Sequence, residues 1–197
     1  SPLPEQRLTL CRLAFSSIPG AEISDLEISR EGKSYTADTV ERLKELYPED
    51  ELYLVMGTDM LLSFERWYRF RYLLDSCTLA VLARAEGDSE GIRRHAEHLQ
   101  REYGARVVLL PHEPLEMSSS DIRERLQMRL GSELLDDAVY SEIIRRRYYG
   151  AQPELSWLRE KAYALLTPKR IAHVAGCESE AVKLAMRYGE DAETAAE

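Results

Sequence analysis

Three stretches hold the residues able to do chemistry. In the first, residues 52–56 (Leu-Tyr-Leu-Val-Met) form a continuous apolar run followed by Gly57, Thr58 and Asp59, with Trp67 one short segment further on. Such a run predicts a strand buried on both faces, and Gly57 is expected to let the chain turn sharply at its end. Ligands of open α/β sheets sit beyond the carboxyl ends of strands, so Thr58 and Asp59 are placed where a ligand would be. The same residues also fit an ordinary strand-to-helix turn with a core tryptophan. In the second stretch, Ser118, Ser119 and Ser120 precede an amphipathic segment containing Arg123. Serine hydroxyls and first-turn amides pointing one way make an anion site, and a guanidinium from the next turn adds a forked donor. A serine N-cap beside a solvated arginine is the plainer alternative. Histidines make the third group. His95 and His98 stand three apart, a spacing that can chelate a metal, but no carboxylate–histidine pattern surrounds them, so a solvated face is expected. His173 lies alone inside a helical pattern.

Elements must position these groups. Helical spacing predicts a well-buried helix over residues 4–16, and alternation predicts a strand over 21–28. Gly32 marks a turn, after which Ser34 or Thr36 is expected to cap a helix reaching Tyr47 and stopped by Pro48. Strands are predicted over 52–56, 78–83 and 106–110, with a helix over 92–103 between the last two. Arg84 ends its strand. Strands alternating with helices predict an α/β chain built on a parallel, doubly wound sheet. A helix is expected over 138–149, carrying Val139 and Ile143 inward. Residues 150–153 (Gly-Ala-Gln-Pro) read as a linker between a domain of residues 1–150 and a helical region of 151–197. That region contains helices over 155–166 and from Thr167-Pro168 to Gly189, with Ile171, Val174, Val182 and Ala185 inward.

Composition narrows the function classes. A formal net charge of −9 over 197 residues argues against wrapping nucleic acid or an anionic membrane. No apolar run approaches the ~20 residues of a membrane span, and no signal peptide is evident. Cys11, Cys77 and Cys177 are widely spaced, which fits buried thiols in a reducing cytoplasm better than a disulfide framework or a zinc site.

Three segments together resemble the bacterial nicotinate-nucleotide adenylyltransferases. Gly32-Lys-Ser-Tyr-Thr-Ala-Asp-Thr39 resembles that family's SYTxxTL segment. Gly57-Thr58-Asp59-Met60 is followed at the family's interval by Trp67, and Met117 to Arg123 resembles the ISSTxIR phosphate signature with serine for threonine at Ser120. Order and spacing agree over residues 2–150. The resemblance implies a Rossmann-like fold and adenylyl transfer from ATP to nicotinate mononucleotide, with magnesium accompanying ATP. It assigns Trp67 to stacking on the pyridine ring, Thr36 to the same ring, and Arg84 to the nucleotide's phosphate. It assigns Asp59 to ribose or adenine, and Ser119 and Arg123 to the ATP phosphates. The family's GxFxPxHxGH histidine motif does not occur in these residues, so no catalytic histidine is assigned. The expectation is a chain that lacks the first βαβ unit and, by itself, transfers no adenylyl group.

Residues 165–191, containing Arg170 and His173, resemble the start of HD-domain metal phosphohydrolases acting on diadenosine tetraphosphate. His173 would then be the first ligand of a divalent metal, possibly iron, in a partial all-α HD domain fused to the adenylyltransferase. Two rival readings stand beside this: a non-catalytic nucleotide-binding module, and a scaffold for the hydrolase.

Overall fold

The computed structural model describes residues 1–30, 32–84, 89–112 and 117–197. Contacts divide the chain into two compact units, Ser24–Glu116 and a second made of Ser1–Ile23 with Met117–Glu197.

The Ser24–Glu116 unit is built on three parallel strands in the order β1 (Leu52–Gly57), β2 (Cys77–Arg84), β3 (Arg106–His112). Leu79 at the centre of β2 is paired with Leu54 on one side and Val107 on the other. Helices α2 (Thr36–Leu46), α3 (Thr58–Leu62), α4 (Phe70–Ser76) and α5 (Ser89–Tyr103) supply the connections. Ala37 and Val40 of α2, Leu61 of α3, Leu73 and Leu74 of α4 and Ile92, Ala96 and Leu99 of α5 join Met56, Cys77, Leu79 and Val81 in one core. Phe64, in a 3-10 turn over Phe64–Arg66, completes it.

The parallel sheet expected from the apolar runs is present, but β1 is not buried on both faces. Tyr53 and Val55 are 59% and 61% exposed, and Val108 and Leu110 on β3 are exposed too. The core helices cover the opposite pleat, and β1 lies at the edge of the strand order. Gly57 has an ordinary extended φ of −81°, and a Cβ there would meet nothing, so the turn does not depend on glycine. No strand forms over 21–28. The amides of Ile28 and Ser29 both donate to the Asp25 carbonyl, which folds the segment into turns. The cap of α2 also differs from expectation. Tyr35 is the N-cap and gives no side-chain hydrogen bond, while the Ser34 hydroxyl donates instead to the Glu27 carbonyl at 3.1 Å.

The other unit is helical: α1 (Pro4–Phe15), α6 (Ser119–Gln127), α7 (Asp137–Arg146), α8 (Leu155–Ala164), α9 (Pro168–Tyr188) and α10 (Ala192–Ala195). Its core is Leu126, Val139, Tyr140, Ile143 and Ala151, joined by half-buried Leu10, Leu13, Ile122 and Trp157. Helix α1 carries no fully buried residue, contrary to expectation, because only one edge of it meets α7. Residues 150–153 do not behave as a free linker. Ala151 is fully buried, the Gln152 amide donates to Leu126, and the Pro153 carbonyl accepts from Arg129. Beyond them, the Glu154 amide donates to the Tyr140 hydroxyl, and Trp157 stacks edge-on against Tyr140 at 4.7 Å. Contacts therefore do not separate at residue 150.

Helix α9 ends at Gly189 in the left-handed region (φ 75°), as its position predicts. Ala185 is buried on it, whereas Val174 is exposed. Of the thiols, Cys77 is buried, which pushes its pKa up, and Cys11 and Cys177 are exposed, contrary to the expectation of three buried thiols. Among the described residues no helix is long and apolar enough to cross a membrane.

Leu79 is fully buried at the centre of the sheet, so Leu79→Ala should destabilise the protein by about 2–5 kcal/mol in urea titration. Val55→Thr, on the exposed pleat, should stay within about 0.5 kcal/mol. Equal small effects would contradict this one-sided core.

Candidate functional site

Within the sheet unit, a cavity of about 240 Å³ is lined by Ser34, Tyr35, Thr36, Trp67 and Tyr68. Two separate segments make its walls. Tyr35 and Thr36 open α2, while Trp67 and Tyr68 lie between the 3-10 turn and α4. Trp67 is half-buried, with its ring 5.2 Å from Phe64, so the core fixes one edge of the indole and leaves the other in the cavity. Tyr35 and Tyr68 meet across the walls with ring centroids 4.5 Å apart. The result is an aromatic slot edged by hydroxyl groups, suited to a flat, partly polar ring. Thr36 and Trp67, expected to act together, do line one cavity. Tyr35 and Tyr68 escaped the sequence reading, although each is adjacent to a residue it selected.

Asp59 is exposed in the first turn of α3, directly after the carboxyl end of β1. Its carbonyl accepts from the Ser63 hydroxyl at 3.1 Å, and its carboxylate is left free for other work. Arg84 is the last residue of β2, its backbone in register with His112; its side chain lies outside the described residues.

A second cluster supports the tryptophan segment. Glu65, two residues before Trp67, accepts a 2.8 Å hydrogen bond from the Tyr103 hydroxyl and lies 3.5 Å from Nε2 of His98. The Tyr103 hydrogen bond first, and His98 after it, hold the Glu65 carboxyl below the usual range. His98 and His95 are half-buried and face this carboxylate or each other, rather than standing on a purely solvated face. The missed signal was tertiary, since Glu65 and Tyr103 are separated by 38 residues.

In the helical unit, the triple serine is an N-terminus with a specific division of labour. Ser118 is the N-cap of α6, and its hydroxyl accepts from the Asp121 amide at 3.1 Å. The Asp121 carboxylate accepts from the Ser118 amide at 2.8 Å, and these bonds lower its pKa. This capping box satisfies one first-turn amide internally. The three serines therefore do not all point at an open anion site; Ser119 and Ser120 remain exposed. Arg123 lies four residues after Ser119, on the same helix face. It borders a cavity of about 470 Å³ shared with Gln127, Arg147, Tyr148 and Tyr149, with its guanidinium 5.1 Å from the Tyr149 ring centre. Arg147 and Tyr149 hold left-handed backbone (φ 52° and 59°), a strain that gathers at binding sites.

His173 is exposed on α9, with Cys177 Sγ at 3.7 Å from its Nε2. Among the described residues no group of three or more His, Cys, Asp or Glu side chains is arranged to hold a metal. The residues present do not make a metal centre around His173.

The chain matches the cytidylyltransferase-like family over residues 4–125. It is 36% identical over 146 residues to a protein of Carboxydothermus hydrogenoformans, covering 74% of this chain and 73% of that one. A Lachnoclostridium phytofermentans protein is 32% identical over 146 residues, with the same coverage of both chains. Both are named "probable nicotinate-nucleotide adenylyltransferase". Among solved structures, Plasmodium falciparum nicotinic acid mononucleotide adenylyltransferase complexed with APC superposes with a TM-score of 0.58 at 18% identity, covering 76% of this chain and 77% of that one. The same enzyme complexed with NaAD gives 0.57. These likenesses establish the nucleotidyltransferase fold for the sheet with its helices.

The Glu65–Tyr103 bond carries a pH signature. A carboxylate whose pKa is depressed in the folded state adds stability above its unfolded value, roughly pH 4.3, and loses it as pH falls through the folded value. Tyr103→Phe keeps the ring packed on Phe70 and removes the bond. The gap in melting temperature between wild type and variant should be present at pH 7 and close on acidification below that range. A gap independent of pH would show that Glu65 gains nothing from Tyr103.

Proposed function

Because this chain belongs to the nicotinate-nucleotide adenylyltransferase family of nucleotidyltransferase enzymes, we propose that it binds nicotinate mononucleotide in the Tyr35–Trp67–Tyr68 slot and ATP beside it. The reaction is transfer of an adenylyl group from ATP to the mononucleotide. A phosphate oxygen of nicotinate mononucleotide attacks the α-phosphorus of ATP. One P–O bond forms, the bond to the leaving pyrophosphate breaks, and deamido-NAD results. The attacking phosphate is already ionised, so no covalent enzyme intermediate and no strong base are required. The protein's work is alignment and charge stabilisation.

The observation that carries this reading is the slot itself. Its two walls come from the segments that resemble the family's pyridine-binding motifs, and they meet around one cavity of the right character. In the proposed pose, Trp67 stacks on the pyridine ring and Thr36 offers a hydroxyl to its edge. Arg84 binds the mononucleotide's phosphate from the end of β2. Asp59 takes ribose or adenine hydrogen bonds. Arg123, with Ser119 on the same helix face, grips the ATP phosphates. Magnesium enters with ATP, held chiefly by its phosphates, as is usual where the protein has no dedicated metal cage.

We further infer from sequence resemblance that residues 165–191 are akin to the start of an HD phosphohydrolase domain. His173 and Cys177 do not fit a metal centre by themselves, so no step of the mechanism passes through a metal there. Dialysis against zinc followed by elemental analysis should find no stoichiometric metal in this chain. Retained metal that is lost in His173→Ala would show that the residues present suffice as ligands.

Aromatic stacking is worth roughly 0.5–1.5 kcal/mol beyond area burial. Trp67→Leu preserves packing on Phe64 but removes the indole. It should weaken nicotinate mononucleotide about tenfold by calorimetry once lost area is included, and leave ATP affinity nearly unchanged. Arg123→Ala should do the opposite. Equal losses for both ligands in both variants would contradict the division of the site.

A further inference from the structure

We propose that Arg69 is a positioning residue that sets the spacing of the aromatic slot by clamping the Trp67–Tyr68 wall onto helix α2. This rests on the reading of the slot as the mononucleotide site. The slot's walls belong to segments more than thirty residues apart, 34–36 and 67–68. The core beneath them is continuous, but it fixes the helices rather than the loop that carries Tyr68. Arg69 follows that tyrosine directly, and its backbone is left-handed (φ 53°, ψ 39°), an unfavourable choice for a side chain with a Cβ. The turn coincides with a guanidinium that reaches α2. Nη1 and Nη2 each donate at 3.0 Å to a different oxygen of Glu41. Nη1 also lies 3.8 Å from Asp38 Oδ1, and the guanidinium carbon sits 4.5 Å over the Tyr72 ring.

Asp38 and Glu41 are three residues apart, hence neighbours on one face of α2. The helix begins at Thr36, so a force on that face acts one turn from the slot's other wall. Arg30 approaches Asp38 from the far side at 3.9 Å, which keeps the acidic face of α2 turned between two arginines. A forked, planar donor suits this bidentate bond; lysine would supply a point charge without the angular constraint. The apolar contacts of Ala37 and Val40 with the shared core remain whether or not the clamp is made. Its loss therefore frees the wall rather than the fold.

The test uses a Trp157→Phe background, which leaves Trp67 as the only one of the two indoles. Arg69→Asn keeps a residue that tolerates left-handed backbone and removes the guanidinium. Glu41→Gln removes the partner's charge without touching the loop. Each variant should weaken nicotinate mononucleotide about fivefold, the upper range for a half-exposed ion pair, with ATP affinity and melting temperature little changed. Acrylamide quenching of Trp67 should rise in each. The double variant should be no worse than either single one, the signature of two residues acting through one bond. Additive losses in the double variant would overturn the clamp. So would unchanged affinity and quenching in Arg69→Asn while Trp67→Leu still weakens the ligand. If Trp67→Leu has no effect either, the assignment of the slot fails, and quenching alone decides whether Arg69 orders the wall: a rise supports the clamp, no change overturns it.

Discussion

The buried face of β2 is the constraint on which the sheet unit depends. Leu79 and Val81 are completely enclosed, and both neighbours of β2 run parallel to it in fixed register. A slip of one residue would move Leu79 to the other face, exposing it and burying Thr78 and Ala80 in its place. The same core holds Leu61 of α3, Phe64 of the 3-10 turn and Leu73 of α4. Those anchors bracket the segment containing Trp67 and Tyr68. The position of a half-exposed aromatic wall is thus set by fully enclosed leucines, and the precision of the slot derives from packing rather than from polar bonds across it. Polar groups act one level later. Glu65 is tied to Tyr103, and Arg69 to Glu41, on either side of Trp67. Each joins the segment to a different helix.

The sequence was most legible where a single local pattern sufficed. The apolar runs at 52–56, 78–83 and 106–110 are strands because nothing but a sheet interior accommodates them. Thr36 and Trp67 were recognised by motif, and they share a cavity. The pattern failed where the outcome depends on which neighbours are present. Residues 21–28 alternate like a strand, but their amides close turns instead. Tyr53 and Val55 look as interior as Leu54, yet helices cover only one pleat. Residues 150–153 have linker composition, and Gly150 does turn the chain with a φ of 74°, but Ala151 then enters the core. Composition reports what a backbone tolerates, whereas burial reports what lies beside it. The Glu65–Tyr103 and Arg69–Glu41 pairs were unreadable for the same reason: each is a meeting of residues with no sequential relationship.

The net charge of −9 seems to conflict with a role in binding phosphate compounds. The conflict disappears when charge is considered locally. Several carboxylates are occupied by arginines in their own element, including Glu142 by Arg145 and Arg146 and Glu90 by Arg93 and Arg94. Among the described residues Arg123 has no carboxylate partner and borders a cavity with Arg147. Within about a Debye length of 8 Å such a pair governs the potential an anion meets, and distant surface acids are screened.

The N-terminus of α6 shows how such a site is kept ready without being used up. Asp121 and Ser118 exchange two hydrogen bonds and thereby fix the helix start. That arrangement puts a carboxylate in the first turn, where an incoming phosphate would also be drawn by the helix dipole. The two negative groups compete for the same field but not for the same donors. The capping box takes the Asp121 amide, whereas the amides of Ser119 and Ser120 and their hydroxyls remain outside it. An anion arriving here must therefore approach along the Ser119 side, the face from which Arg123 projects one turn later. The box that stabilises the helix also selects the direction of approach, so the arginine's location follows from the cap. A glutamine at 121 would relieve the repulsion, but it would weaken the charge-assisted bond that holds the Ser118 amide and loosen the very turn that presents Ser119.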